Sequence, residues 1–88
     1  MTNQQATNQK IEDVKYYGYG TYTVSFSQND TFSPLDFEAT VNPSFAVVIN
    51  NASGAQITCT YAAGTNQITV TGACLNAECT VFVYGVRA

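Results

Sequence analysis

From Tyr22 onward, apolar and polar positions alternate with a period of two. Tyr22, Val24 and Phe26 are interleaved with Thr21, Thr23, Ser25 and Ser27. Phe37, Ala39 and Val41 are interleaved with Asp36, Glu38 and Thr40. Further on, Ile57, Cys59 and Tyr61 alternate with Thr58 and Thr60, and Ile68 and Val70 with Thr69 and Thr71. Successive side chains of a strand point to opposite faces, so this period predicts half-buried strands. Thr and Tyr suit the pleated surface of a sheet. Strands are expected near 20–27, 36–42, 44–50, 56–62, 66–72 and 79–87, with a seventh near 11–17 as an option. No stretch carries apolar residues at helical spacing over three turns.

The breaks between strands agree. Ser27–Gln28–Asn29–Asp30 and Ser33–Pro34 bound a loop, and Asn42–Pro43 predicts a corner, because proline lacks a ladder donor and restricts its predecessor. Asn50–Gly54, Gly64–Asn66 and Leu75–Glu78 read as hairpin connections. The last three or four strands are expected to form an antiparallel meander. The fold expected is all-β: a small antiparallel β-sandwich or flattened barrel of six to seven strands, preceded by an extended N-terminal arm. Residues 1–15 would be the arm and residues 16–88 the single domain.

Two strands break the alternation. Phe45–Ala46–Val47–Val48–Ile49 and Val81–Phe82–Val83–Tyr84 are apolar on both faces. A sheet of a two-layer protein buries its inner face only, so the other face calls for cover by a second subunit, by the arm or by unusually tight closure. Cover by a subunit is the preferred reading. Central strands sheltered by their neighbours' side chains are the plain alternative. The arm raises the same question. Residues 1–10 are Gln-, Asn- and Thr-rich with no large apolar residue beyond Met1, too little to offset the entropy of ordering. A partner chain is the expected support, and packing along its own domain is the alternative.

Length and charge narrow the function. Eighty-eight residues make one domain, burying about 60–65% of the unfolded surface. Charged residues are 10% of the chain, against a usual value of roughly 25%. Such a surface has little protection against association. The net charge is −3, and Lys10, Lys15 and Arg87 are the only cations, which argues against nucleic acid and against anionic membranes. No stretch is apolar enough to span a bilayer. The first ten residues lack the apolar segment of a secretory signal, so a mature form, or use without that route, is expected.

The chain offers little to catalysis. There is no histidine, which removes the commonest general base and metal ligand. A hydroxyl or thiol nucleophile would need Lys10 or Lys15 as its base, and neither falls at a strand end or in a pocket-forming loop. No enzyme activity and no cofactor are expected. A calcium site built from Asp30, Asp36 and Glu38 is conceivable, though charges that discourage strand pairing are the commoner use of such residues. Cys74 and Cys79 flank Leu75–Glu78 and would face each other in a simple hairpin. Cys59 is then left over, and an odd count favours free thiols in a reducing compartment. Three thiols without histidine make an incomplete zinc site.

Tyr16, Tyr17, Tyr19 and Tyr22 cluster around two glycines in YYGYGTY. Such rings anchor protein interfaces, pack a first strand or stack on a sugar. With Val48, Val81, Phe82, Val83 and Tyr84 they form the candidate interface.

Residues Gln56–Arg87 (QITCTYAAGTNQITVTGACLNAECTVFVYGVR) have short Thr-rich strands, Gly/Asn turns and an apolar final strand. With the polar N-terminal arm, this texture resembles the small β-sandwich structural proteins of tailed bacteriophages, of the capsid decoration (cement) or head-fibre type. The resemblance implies a non-enzymatic virion protein, assembled in the host cytoplasm, that associates with itself as a trimer and lays its arm on a major capsid protein. A carbohydrate-binding or host-adhesion module is the alternative.

Overall fold

The computed structural model describes residues 2–13, 17–34, 41–62 and 67–87. Its strands are β1 (Asn3–Gln4), β2 (Asn8–Asp13), β3 (Tyr17–Phe26), β4 (Thr31–Phe32), β5 (Val41–Asn50), β6 (Gln56–Ile57), β7 (Cys59–Ala62), β8 (Gln67–Val70) and β9 (Ala77–Arg87). The described residues contain no helix. They form two sheets, of order β1-β4-β8-β7 and β2-β3-β9-β5-β6. A radius of gyration of 12.2 Å matches the value of about 12 Å for a folded chain of this length.

β9 is the spine of the larger sheet. It pairs antiparallel with β3 from Tyr17↔Val86 to Phe26↔Ala77, and with β5 from Val41↔Arg87 to Asn50↔Cys79. The register with β5 shifts between Pro43 and Phe45. Proline has no N–H for the ladder, and a bulge absorbs the gap. Asn42–Pro43 is therefore an irregularity inside one strand and not the corner expected there. Most of the strand expected at 36–42 lies outside the described residues, as does the turn at Gly64–Asn66.

The alternation read from sequence is the alternation observed. On β3, Tyr22, Val24 and Phe26 are buried while Thr21 and Thr23 are half-buried and Ser25 is exposed. These join Val48, Ile57, Cys79, Val81 and Val83 of the same sheet and Phe32, Ile68 and Val70 of the other in one core. Phe32 locks the layers together. Its ring meets Tyr22 edge-on at 5.2 Å and Phe26 at 6.4 Å, and each such pair adds about 0.5–1.5 kcal/mol beyond area burial.

Two expectations are corrected. Residues 56–62 do not form one strand: β6 pairs with β5 in the larger sheet, and β7 pairs with β8 in the smaller. The chain turns the corner at Thr58, whose carbonyl accepts the N–H groups of Thr71 and Gly72, each at 2.9 Å. Nor is there a hairpin at Leu75–Glu78. Residues 71–76 carry the chain from the smaller sheet to the larger, and Ala77 already pairs with Phe26, so the expected meander is reduced to two separate consecutive pairs, β5–β6 and β7–β8.

The N-terminal segment is paired with its own domain over its described part. β1 lies parallel to β4, and β2 lies antiparallel to β3 from Asn8↔Thr23 to Asp13↔Gly18. Support by a partner chain is not needed to order it.

Candidate interaction surface

The two sheets leave the larger one with a broad outward face. Pleating sends Cys79, Val81 and Val83 inward, all fully buried, and Thr80, Phe82 and Tyr84 outward, all half-buried. Cross-strand pairing extends the outward row: Tyr19 opposes Tyr84, while Thr21 and Val47 flank Phe82 and Thr23 and Ile49 flank Thr80. The rings of Tyr19 and Phe82 stack at 5.8 Å with planes 28° apart. β2 borders the row with Lys10 and Glu12, whose side chains approach to 3.7 Å across largely exposed positions. Such a pair contributes about 0–1 kcal/mol, but it places both charges on the open edge, where they discourage pairing.

The expected interface residues divide. Tyr19, Phe82 and Tyr84 share the outward face. Tyr22, Val48, Val81 and Val83 lie in the core, with exposures of 0–1%, and are no part of any surface. Tyr16 and the side chain of Tyr17 lie outside the described residues. Tyr22 reaches the core by way of Gly20: a Cβ at position 20 would come within 2.5–2.9 Å of its ring and hydroxyl. The polar residues beside these positions signal the division. Thr21, Thr23 and Ser25 mark the outer phase of β3, and Glu78 and Thr80 mark that of β9. Val47 and Ile49, which face outward in place of Val48, were missed because Phe45–Ile49 has no polar residue to set its phase.

Asp30 is the most elaborately held polar side chain among the described residues. It is 4% exposed. Oδ1 accepts the Thr2 N–H at 3.0 Å, and Oδ2 accepts the Gln4 amide at 2.8 Å and the Ser27 N–H at 2.9 Å. The Gln4 amide, followed by the Ser27 N–H, holds the carboxyl below its ordinary pKa, against an opposing effect of burial. Asn29, at φ 73°, makes the turn that presents it, closed by the Asp30 N–H on the Ser27 carbonyl at 3.0 Å. Asp30 is thus a structural clamp whose two oxygens are committed to donors. Asp36 and Glu38 lie outside the described residues.

No group of three His, Cys, Asp or Glu that would hold a metal occurs among the described residues. Cys59, Cys74 and Cys79 are free thiols. Burial raises the pKa of each, with the Asp30 carboxylate adding to the effect at Cys74 and Cys74 adding to it at Cys79. At the far end of β9, Thr80 Oγ1 donates to Asn51 Oδ1 at 2.7 Å and Asn51 Nδ2 to Glu78 Oε1 at 3.3 Å. Leu75 stands 80% exposed in the neighbouring connection.

Fold and surface together define an all-β domain of two packed sheets with an aromatic and aliphatic row on the outside of the larger. Comparison with known protein families, with curated proteins and with solved structures finds no match to this chain. No helix among the described residues is long and apolar enough to cross a membrane.

Proposed function

We propose that this chain is a small β-sandwich, antiparallel but for the β1–β4 pair, with an extended N-terminal segment, that it acts by binding and not by catalysis, and that it associates with itself through the outward face of β3, β9 and β5. The setting proposed is a virion, where an oligomer, a trimer in the first instance, would dock on a major capsid protein and stabilise the shell. That setting is taken from the texture of Gln56–Arg87 alone.

One observation carries the self-association: the half-buried row of Tyr19, Val47, Ile49, Phe82 and Tyr84 on an outer face, in a chain with so few charges. Outer faces of antiparallel sheets are ordinarily polar. Its five strands, of six, ten, eleven, ten and two residues about 4.8 Å apart, make roughly 640 Å² of flat sheet before the relief of the side chains is counted. A standard interface takes about 800 Å² of accessible surface from each partner, so association would use nearly the whole face. The row has no charge at its centre, so two copies can meet without repulsion, and a shell subunit that binds the assembled lattice better than free parts shifts assembly by mass action.

The test is sedimentation of the wild type beside Phe82→Glu and Val47→Lys. The wild type is predicted to be oligomeric at micromolar concentration, and each variant to weaken association by about 30-fold or more, as expected for a central contact worth about 2 kcal/mol. A wild type that stays monomeric at millimolar concentration contradicts the proposal. If that monomer also binds glycans, and Tyr19→Ala abolishes the binding, the carbohydrate-binding alternative takes its place.

A further inference from the structure

At the end of β9 away from Tyr84, the turn after β5 and the connection into β9 border a cleft of about 490 Å³, with Asn50, Asn51, Leu75, Asn76 and Glu78 in its walls. That volume lies within the roughly 300–1,000 Å³ of small-ligand sites. The walls are fixed before any ligand arrives. Asn51 N–H donates to the Glu78 carbonyl at 3.0 Å, and Gly54 N–H closes the turn on the Asn50 carbonyl at 2.7 Å. Asn50 Oδ1 accepts the Ala52 N–H at 3.0 Å. The Asn51 amide is strung between Thr80 and Glu78 Oε1. Asn76, at φ 48°, is held by its N–H on Ser27 Oγ at 3.0 Å.

These bonds leave one side of several groups unused. Asn50 Nδ2, Asn76 Nδ2 and Glu78 Oε2 meet no donor or acceptor among the described residues. Two donors and one charged acceptor therefore border the same cleft. Leu75 adds an apolar wall, and at 80% exposure it is the one large apolar side chain so open among the described residues.

Charge and chemistry select the ligand. No Lys or Arg lines the cleft among the described residues, and Glu78 is the first charged residue after Glu38. Nothing there would hold a phosphate or another anion. A hydroxyl both donates and accepts, so one hydroxyl can give its hydrogen to Glu78 while its neighbour receives one from an asparagine amide. A peptide bond divides those roles between two atoms, and extended peptides add to open strand edges, whereas this cleft lies between connections.

We propose that the cleft binds a neutral, hydroxyl-rich ligand, a saccharide. Glu78 accepts from one hydroxyl, the Asn50 and Asn76 amides donate to its neighbours, and Leu75 lies against the C–H face of the ring. The bond to the Glu78 carboxylate is the strongest of these, because its acceptor is charged. The site is separate from the row of Tyr19, Phe82 and Tyr84 and does not depend on self-association through it.

The test is a titration of the nitrogen-15-labelled full chain with the methyl glycosides of glucose, galactose, mannose and N-acetylglucosamine, each to tens of millimolar. At least one is predicted to shift the side-chain amides of Asn50 and Asn76 and the backbone of residues 75–78. Glu78→Gln keeps the shape and removes the charge, and is predicted to weaken that binding by about 10-fold or more. Asn76→Gly keeps the left-handed turn and removes one amide, so it is predicted to weaken binding in a chain that still folds. Absence of any shift at the cleft with all four glycosides overturns the proposal, as does binding that both variants leave unchanged. Shifts confined to Tyr19, Phe82 and Tyr84 place the sugar on the row and overturn it too. A cleft that answers to a short Lys- and Ser-containing peptide and to none of the glycosides is a protein-binding site, which also overturns it.

Discussion

Asp30 shows most clearly how one side chain holds distant parts of the sequence together. Its carboxylate joins Thr2 and Gln4 to the turn at Ser27, and its backbone carbonyl accepts the Val70 N–H at 2.9 Å. A carboxyl whose pKa is lowered by folding stabilises the fold above its unfolded value of about 3.9, and that stability is lost as pH falls through the folded value. Asp30→Asn is predicted to lower the denaturation midpoint at pH 7 and to flatten its fall between about pH 5 and pH 2, as measured by urea unfolding across that range. An unchanged acid profile would show that Asp30 is not the clamp. The thiols predict the opposite limb. Their raised pKa values give stability that is complete below the unfolded value of about 8.5 and is lost as pH rises toward the folded values. Ellman's reagent should label Cys59 and Cys74 before Cys79, which is 0% exposed, and should reach Cys79 only at the rate of unfolding. Labelling of Cys79 as fast as Cys74 would contradict the burial. Free thiols followed from the odd count of cysteines. The clamp did not, because nothing in Asn29–Asp30–Thr31 says that residues 2 and 4 lie beside it.

At the scale of elements, the strands were legible and the way they are shared between sheets was not. Period-two alternation placed β3, and the apolar run Val81–Tyr84 placed β9, each to within three residues at each end. Residues 56–62 keep the same alternation across Thr58, so the pattern gave no sign that the chain changes sheets there. The cause lies in a partner far along the sequence, the pair of N–H groups at Thr71 and Gly72. Gly72 permits the approach: a Cβ there would stand 2.8 Å from Ile57 Cγ2 and 3.0 Å from the Thr58 nitrogen. Backbone cannot move aside as a flexible side chain can, so Gly72→Ala is predicted to cost about 1–3 kcal/mol of overpacking. Equilibrium unfolding measures it, and a change below about 0.5 kcal/mol, the range of ordinary surface substitutions, would show that the corner is not tight. The two-residue strands β1 and β4 were invisible for a related reason. Neither has the length to show a period: β1 exists because β4 lies beside it, and β4 because it lies between β1 and β8.

For the whole molecule, the sequence implied more apolar strand surface than a lone domain can shelter, together with a segment in need of support. The segment turns out to be supported by its own sheets, which leaves the outward face as the basis for the proposed association. Four of the nine candidate interface residues, Tyr22, Val48, Val81 and Val83, were misplaced into it; for Val48 the reason is that apolar residues on both faces of a strand look alike until a neighbour fixes the phase. Pairing with β9 turns Val48 inward against Val81 and leaves Val47 and Ile49 outside. The most direct test is an isotope-filtered NOE measurement on a one-to-one mixture of carbon-13-labelled and unlabelled chains. Association through this face predicts contacts between copies that join the Val47 and Ile49 methyls or the Phe82 ring to the same set on the partner. An absence of contacts between copies at millimolar concentration, or contacts confined to the smaller sheet, would contradict it.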